Sequence, residues 1–489
     1  MKKELSKVAG QLPDFSEIGR VYLVGGSLRD RILNLRSNDY DFAVRGNARA
    51  LAERAAAKLG VRTVQMGKED KAVYRVVSGN KVLDFSPLHG DTIDDDLKSR
   101  DFTVNGLGFD LSSQTLIDPV EGLRDIRSRT IRLISEDAIL TDPLRMLRAF
   151  RLAAVLGFEI SPQTLSVIKE HAGLIAQSAG ERIRAELFGM AEADRSYPHL
   201  RQMSEVGLLI RLIPELGPCG DCPCDDHGYN LFDHVMETYE EMEFVLRQYP
   251  RIWPEYAEPI RSYLVQGNRK VLLRWAALLH DLGKPATRRI DATGKVRYLA
   301  HEQKGVLIAR SLCLRLRMSG QERSYIELVV RNHLLPLHLF VARQRGSLTT
   351  RGLVRFVRKY EDHIIGLLVH SMADQRAKAG RSTEVQEAFV TFLNEIFRRY
   401  FNEFQPTMRA PRLITGKDLI EHFGLKPSEL FGKLLQKVED ARLNREIQTR
   451  EEALRLVAML LDRPTSRAGS AAASQKPRLA DGVEGSKLK

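Results

Sequence analysis

The segment from Val21 to Val44, VYLVGGSLRDRILNLRSNDYDFAV, constrains the fold more than any other stretch of the chain. It starts as an apolar strand, breaks at Gly25-Gly26, continues as a short helix-like run and returns as a second strand carrying Asp39 and Asp41. Two carboxylates at i and i+2 of a strand point to one face. Like charges that close require a cation between them, and a hard divalent ion such as Mg²⁺ takes one or two carboxylates plus phosphate oxygens. The glycine turn before a helix is an anion cradle, because backbone N–H groups face outward and no Cβ blocks the approach. A tight turn and a solvated edge strand are the plainer readings of the same residues. A third carboxylate on a neighbouring strand favours the metal, and Asp84 in KVLDFSP is placed to supply it.

The surrounding residues set the class. A chain of 489 residues exceeds one ordinary core, so several domains are expected. There is no apolar run of eighteen residues and no apolar signal segment near the N-terminus, and four cysteines do not make a disulfide framework. These features predict a cytoplasmic protein with no membrane contact. The net charge of +12 points to a polyanionic partner, nucleic acid first.

Strand-like runs (VYLVG, YDFAV, VRTVQM, AVYRVV, KVLDFSP) alternate with helical patterns such as NARALAERAAAKLG up to about residue 125. From about 126 the pattern is nearly all helical. Pro143 behind Asp142 reads as a first-turn proline after an N-cap aspartate. The expected division is a mixed-sheet head (1–125), a helical neck (126–215), a helical domain (225–400), a C-terminal helical segment (410–463) and a disordered tail (464–489).

The motifs then follow a family order. LVGGSLRDRILNLRSNDYDFAV, SRDFTVNGLGFDL (99–111), LIDPVEGLRDI, TDPLRMLRAFRLAAVLGFEI and ERIRAEL resemble the ordered blocks of the class II tRNA nucleotidyltransferase and bacterial poly(A) polymerase family. The resemblance implies an α+β protein, with a polymerase-β-like mixed-sheet head followed by helical domains. It also implies template-free addition of nucleotides from CTP or ATP to the tRNA 3′ end. By resemblance Asp39 and Asp41 hold catalytic Mg²⁺ with Asp84 assisting, while Gly25, Gly26 and Arg29 hold the triphosphate. Arg100, Asp101 and Asn105 order ribose and phosphates. Asp142 and Arg145, with Arg148 on the same helix, address the incoming base.

The chain departs from the family pattern twice. Thr141 stands where the family often has Glu, and only fifteen residues separate Asp84 from Arg100. The short segment resembles CC-adding members. A full CCA-adding enzyme, a poly(A) polymerase and a phosphohydrolase with an RNA-binding head are the alternatives. The stretch VQMGKEDKAVYRVV does not match the basic segment that marks poly(A) polymerases.

A second constellation lies downstream. His234, His280-Asp281, His301 and Asp374 occur in the order H…HD…H…D, which resembles the HD phosphohydrolase superfamily. Imidazoles and carboxylates together suit a transition metal or Mg²⁺, with His333 as an additional ligand or phosphate contact. Cys219, Cys222, Cys224 and His227 could hold Zn²⁺, but their spacing is not that of a finger or ribbon, and a surface loop with reduced thiols is favoured. Cys313 is expected in a core. Gly416, Asp418 and Leu419 resemble the G-x-D-L of the family's C-terminal segment, a phosphate-contacting or packing module.

Overall fold

The computed structural model describes residues 19–67, 72–223, 230–378 and 383–462. The tail beyond 463, Cys224 and His227 lie outside the described residues. Seven strands form one sheet: β1 (Gly19–Val24), β2 (Asp39–Gly46), β3 (Thr63–Met66), β4 (Val73–Ser78), β5 (Lys81–Pro87), β6 (Gly108–Asp110) and β7 (Thr115–Ile117), in the order β3-β4-β5-β2-β1-β6-β7. β2 and β5 are parallel; every other neighbouring pair is antiparallel. The parallel pair needs a crossover, supplied by helix α2 (Ala48–Leu59) and the β3-β4 hairpin. Asn47 caps α2 by accepting from the Ala50 amide, and Gly60, a residue suited to a C-cap, ends it at φ 68°. β6 and β7 are three residues each, too short for a periodicity to show.

Phe42 and Phe85 stack at 5.0 Å on the buried face of β2 and β5. The register sets Asp41 opposite Asp84 and Arg75 of β4 opposite Asp84 on its other side. Helix α1 (Gly25–Ile32) leaves directly from the end of β1. Helix α3 (Ile93–Lys98) fills the short segment between Asp84 and Arg100, closed by a capping box between Thr92 and Asp95.

The helical remainder contains two small strand pairs that the periodicity did not show. Thr130–Ile131 pairs with Glu159–Ile160, and Arg288–Ile290 pairs with Val296–Tyr298. The expected N-cap features are found at Asp142, whose carbonyl accepts the Arg145 amide at 3.0 Å and whose Oδ1 accepts the Leu144 amide at 3.3 Å. Asp142 is extended (φ −142°, ψ 94°) at the end of the helix Asp137–Thr141, and the next helix, α4, runs Arg145–Leu156. Pro143 and Leu144 form the turn between them, so Asp142 and Arg145 do not share a helix face.

Helices α5 (Gly180–Glu192), α6 (Leu231–Ile252), α7 (Arg269–Leu279), α8 (His301–Arg315), α9 (Gly320–Asn332) and α10 (Ile364–Arg376) build the rest of this unit. Every residue of α10 from Ile364 to Gln375 is buried. A helix apolar on all sides belongs at the centre of a bundle, and α6, α7 and α9 pack on α10. Residues 1–344 with 362–395 make one compact unit, and 345–361 with 396–489 a second. In the second, helices Gly416–Phe423, Glu429–Leu443 and Arg450–Leu461 enclose Leu419, Leu434, Val438, Ala453 and Val457. Asp418 closes a capping box with Thr415 and pairs with Arg450 at 2.5 Å, so Asp418 and Leu419 serve packing there.

Candidate nucleotide pocket and metal centre

A cavity of about 620 Å³ opens between the head sheet and helices α4 and α5. That is the size of a small-ligand pocket. Gly25, Gly26, Asp41, Asp84, Arg100, Asp101, Asn105, Asp142, Arg145 and Arg148 all line it, as do Arg182 and Glu186. Residues far apart in sequence therefore converge, because the C-terminal end of β1 lies beside the first residues of the antiparallel β2, Asp84 of β5 pairs in register with Asp41, and α4 and α5 face them across the cavity.

Gly25 sits at φ +68°, and a Cβ there would lie 2.8 Å from Nη1 of Arg100. The positive φ is what favours glycine here, and the absent Cβ leaves room for the Arg100 guanidinium. Arg100 is held by Asp96, whose Oδ2 accepts Nη2 at 2.8 Å. Asp101 accepts the Asn105 amide at 2.9 Å on one oxygen and pairs with Arg148 Nε at 2.6 Å on the other. This links the head motif at 99–111 to α4. Asn105 in turn accepts Arg29 Nη1 at 2.6 Å. Arg29 is buried, also bound to Asp30, and is not among the pocket-lining residues; the structure places it behind Asn105.

Asp41 is half-buried. Burial, then the nearby Asp84 and Asp39 charges, push its pKa up against the pull of Arg100 and the Ser27 amide. A carboxylate raised by like charges is a site short of positive charge, which fits the expected divalent cation. Asp39 is exposed and is not among the residues lining the cavity. Asp84 gives both oxygens to Arg75, so it reaches the site already neutralised.

Asp142 accepts Arg182 Nη2 at 2.8 Å and Nη1 at 3.3 Å, and the Leu144 amide at 3.3 Å. Burial pulls its pKa up, but the Arg182 hydrogen bonds and charge, Leu144 and Arg145 outweigh it and hold the carboxyl below its usual range. Arg182 stands in the ERIRAEL motif, where nothing local marks which arginine faces Asp142. Arg75 was missed for the same reason.

The second constellation assembles in one buried centre. His234 (α6), His280 and Asp281 (end of α7), His301 (α8), His333 (end of α9) and Asp374 (α10) are all buried. Asp281 Oδ2 lies 3.2 Å from His280 Nε2 and 3.5 Å from His234 Nε2, while its Oδ1 lies 3.1 Å from His301 Nε2 and 3.4 Å from His333 Nε2. Asp374 Oδ1 is 3.3 Å from His234 Nε2 and 3.6 Å from His280 Nε2. His280, His301 and His333 each set Nδ1 2.7–2.8 Å from a main-chain carbonyl, of Ala277, Tyr298 and Val330. A proton on Nδ1 leaves the Nε2 lone pair aimed inward, the arrangement of metal-ligating histidine. Lone pairs facing carboxylates require protons or a cation between them. Two groups meet the distance needed for an ion, His234/His280/Asp281 and Asp281/His301/His333, with Asp281 common to both.

Lys284 approaches Asp281 at the same Oδ2 that faces His280 and His234, at 3.0 Å, and Lys378 meets the other oxygen of Asp374, Oδ2, at 2.7 Å. Burial alone would raise both carboxyls; His280 and these lysines hold them well below the usual range. Burial pushes His280 down, but the two aspartates prevail and lift it to about 9. His370, four residues before Asp374 on α10, was not foreseen. It is fully buried against His280 at 5.2 Å between ring centroids, and among the described residues neither ring nitrogen has a hydrogen-bond partner. The H-x-x-x-D spacing within HSMAD was its only sequence signal. Cys219 and Cys222 are buried, contrary to the expected surface loop, and burial drives the Cys219 thiol up to about 12. They pack on the core, and Cys222 approaches the Tyr298 hydroxyl at 3.7 Å. Cys313 is in the core as expected.

Four family models match the chain in sequence: the poly A polymerase head domain (21–132), a probable RNA and SrmB-binding site of polymerase A (157–219), the HD domain (232–357) and a putative tRNA nucleotidyltransferase domain 2 (404–458). The chain is 31% identical to an A-adding tRNA nucleotidyltransferase of Deinococcus radiodurans over 438 residues, covering 88% of this chain and 93% of that protein. It is 29% identical to a CC-adding tRNA nucleotidyltransferase of Thermus thermophilus, covering 88% and 91%. The fold is similar to that of the Thermotoga maritima CCA-adding enzyme complexed with tRNA, with a TM-score of 0.63, 21% identity and coverage of 94% and 95%. Among the described residues no helix is long and apolar enough to cross a membrane. A glycine-turned carboxylate pocket faced by α4 and α5, the matching models and a relative aligned over nearly its whole length agree: the chain belongs to the class II tRNA nucleotidyltransferase family and carries an HD domain.

Proposed function

We propose that this nucleotidyltransferase extends the 3′ end of tRNA from CTP, and from ATP in a broader form, selecting the nucleotide with protein side chains. The carrying observation is the single cavity that joins the Gly25 turn and Asp41 to Asp142, Arg145 and Arg148. In this reading the triphosphate lies against the Gly25-Gly26 turn and Arg100, and the base reaches Asp142 and Arg145. The terminal hydroxyl of the RNA attacks the α-phosphate and pyrophosphate leaves. Asp39 and Asp41 would hold Mg²⁺, which when bound neutralises the triphosphate and activates the attacking hydroxyl. Arg148, fixed by Asp101, presents a cation beside that path.

CC addition is the finer reading we favour. Its support is the short segment 85–99, which ends β5, turns and enters the six-residue α3, with Asp96 accepting the His89 amide at 3.0 Å and Arg100 Nη2 at 2.8 Å. The test uses tRNA transcripts ending at the discriminator base, at C or at CC, each with CTP alone, ATP alone or both. Arrest at CC supports this reading. A added to CC supports full CCA or A addition, and long A tails on unrelated RNA support poly(A) synthesis. Asp39→Ala and Asp41→Ala should each abolish incorporation with the fold retained; undiminished incorporation overturns the assignment.

The HD centre supports a second activity, metal-assisted hydrolysis of a phosphoester, because its inward Nε2 atoms and two carboxylates form a donor set that suits a transition metal. His280→Ala/Asp281→Ala should remove phosphatase or cyclic phosphodiesterase activity and spare nucleotide addition. Hydrolysis unchanged in that variant refutes the reading.

A further inference from the structure

Asp142 precedes α4, and its carboxylate is held chiefly by Arg182, on α5. Nη2 and Nη1 of Arg182 donate to Oδ2 and Oδ1 at 2.8 and 3.3 Å, and the Leu144 amide adds a third bond to Oδ1 at 3.3 Å. α5 is firmly seated. A Cβ at Gly180 would lie 2.1 Å from the Arg315 carbonyl oxygen, and Arg184 bonds Glu322 at 2.8 Å. One turn beyond Arg182, Glu186 accepts Arg151 of α4 at 2.5 Å. Arg182 thus reaches Asp142 from a fixed platform, and both line the nucleotide cavity.

A carboxylate has about four lone-pair directions. Three are taken, and one on Oδ2 remains for a ligand. Cytosine and adenine offer an exocyclic amine beside a ring acceptor, whereas uracil and guanine offer a carbonyl beside a ring N–H. A fixed, ionised carboxylate accepts from the amine and repels the carbonyl. A carboxylate free to turn or to take up a proton loses that distinction.

We propose that Arg182 is the positioning residue for base selection, holding the plane and charge of Asp142 so that the pocket admits bases with an amine at pyrimidine C4 or purine C6 and rejects those with a carbonyl there. This rests on the reading that Asp142 and Arg145 meet the base. An arginine that only latched α5 to the Asp142 turn would alter stability and overall rate but not the ratio between nucleotides.

The test measures kcat/KM for CTP against UTP, and for ATP against GTP, on the full chain with tRNA transcripts. Each ratio is taken on one preparation, so partial unfolding cancels. Arg182→Gln should lower the ratio about tenfold or more, and Arg182→Lys should restore part of it. Asp142→Ala should lower it at least as far, and the double variant should match Asp142→Ala alone. An unchanged ratio in Arg182→Gln, with a fallen ratio in Asp142→Ala, overturns the proposal and leaves base reading standing. An unchanged ratio in Asp142→Ala overturns base reading and the proposal together.

Discussion

Arg75 on β4 lays its guanidinium against Asp84 on β5, with Nε and Nη2 donating to the two carboxylate oxygens at 2.8 and 2.7 Å. The third carboxylate of the head is thus internally neutralised before any cation arrives. The pair sits beside Asp41 in the β2–β5–β4 register.

Arg75→Ala removes positive charge next to Asp41 and Asp84, so the Mg²⁺ concentration for half-maximal incorporation should fall. The loss of stability should be small, about 1 kcal/mol or less, because Arg75 is 39% exposed and solvent screens the pair. A Mg²⁺ titration of incorporation together with thermal unfolding checks both. A raised Mg²⁺ requirement would mean that Arg75 holds Asp84 in place for the metal rather than competing with it.

Gly25→Ala asks an alanine to adopt φ +68° and drives its Cβ to 2.8 Å from Arg100 Nη1. The backbone strain costs roughly 1 kcal/mol. Arg100 can yield only by leaving its bond with Asp96. Incorporation should fall much further than thermal stability does, and steady-state kinetics beside a melting curve separates the two.

The Asp142–Arg182 pair has a defined pH signature. Asp142 is held below its ordinary range in the fold, so its stabilising contribution is complete above the unfolded carboxylate pKa and is lost as pH falls through the lower folded value. The stability difference between the native chain and Asp142→Asn should be constant from neutral pH down to about 5 and vanish in stronger acid. Its size is on the order of 1 kcal/mol or less, since Arg182 is 53% exposed. Denaturant titrations across pH measure it.

In the HD centre, metal binding to the folded state should raise stability by mass action. A metal at a hundred times its Kd adds about 2.7 kcal/mol. Chelation should lower the unfolding temperature of the native chain and leave Asp281→Ala unaffected, since Asp281 joins both ligand groups. Elemental analysis of the purified protein and the variant checks the same point; equal metal content in the two sinks it.

Much was written locally. Hydrophobic period gave β1, β2, β4 and β5 and the helix after Asn47, because strands and helices repeat with fixed spacing. The i, i+2 spacing of Asp39 and Asp41 and the adjacent His280-Asp281 marked chemistry because they need no partner to be seen. The order of the motifs from LVGGSLRD to ERIRAEL, which marks the family, is likewise a property of the sequence alone.

Tertiary structure decided what lies between elements. Only the β2–β5–β4 register set Asp41, Asp84 and Arg75 side by side. Only the packing of α5 over α4 turned Arg182 toward Asp142, forty residues away. Arg29 moved behind Asn105 because burial gave its guanidinium neighbours that a local reading could not know. His370 joined the HD centre because α10 is enclosed on all sides, so even a polar residue on it must face a neighbour. Spacing fixes which side chains share a face of one element, whereas the meeting of faces depends on long-range packing, which no local pattern encodes.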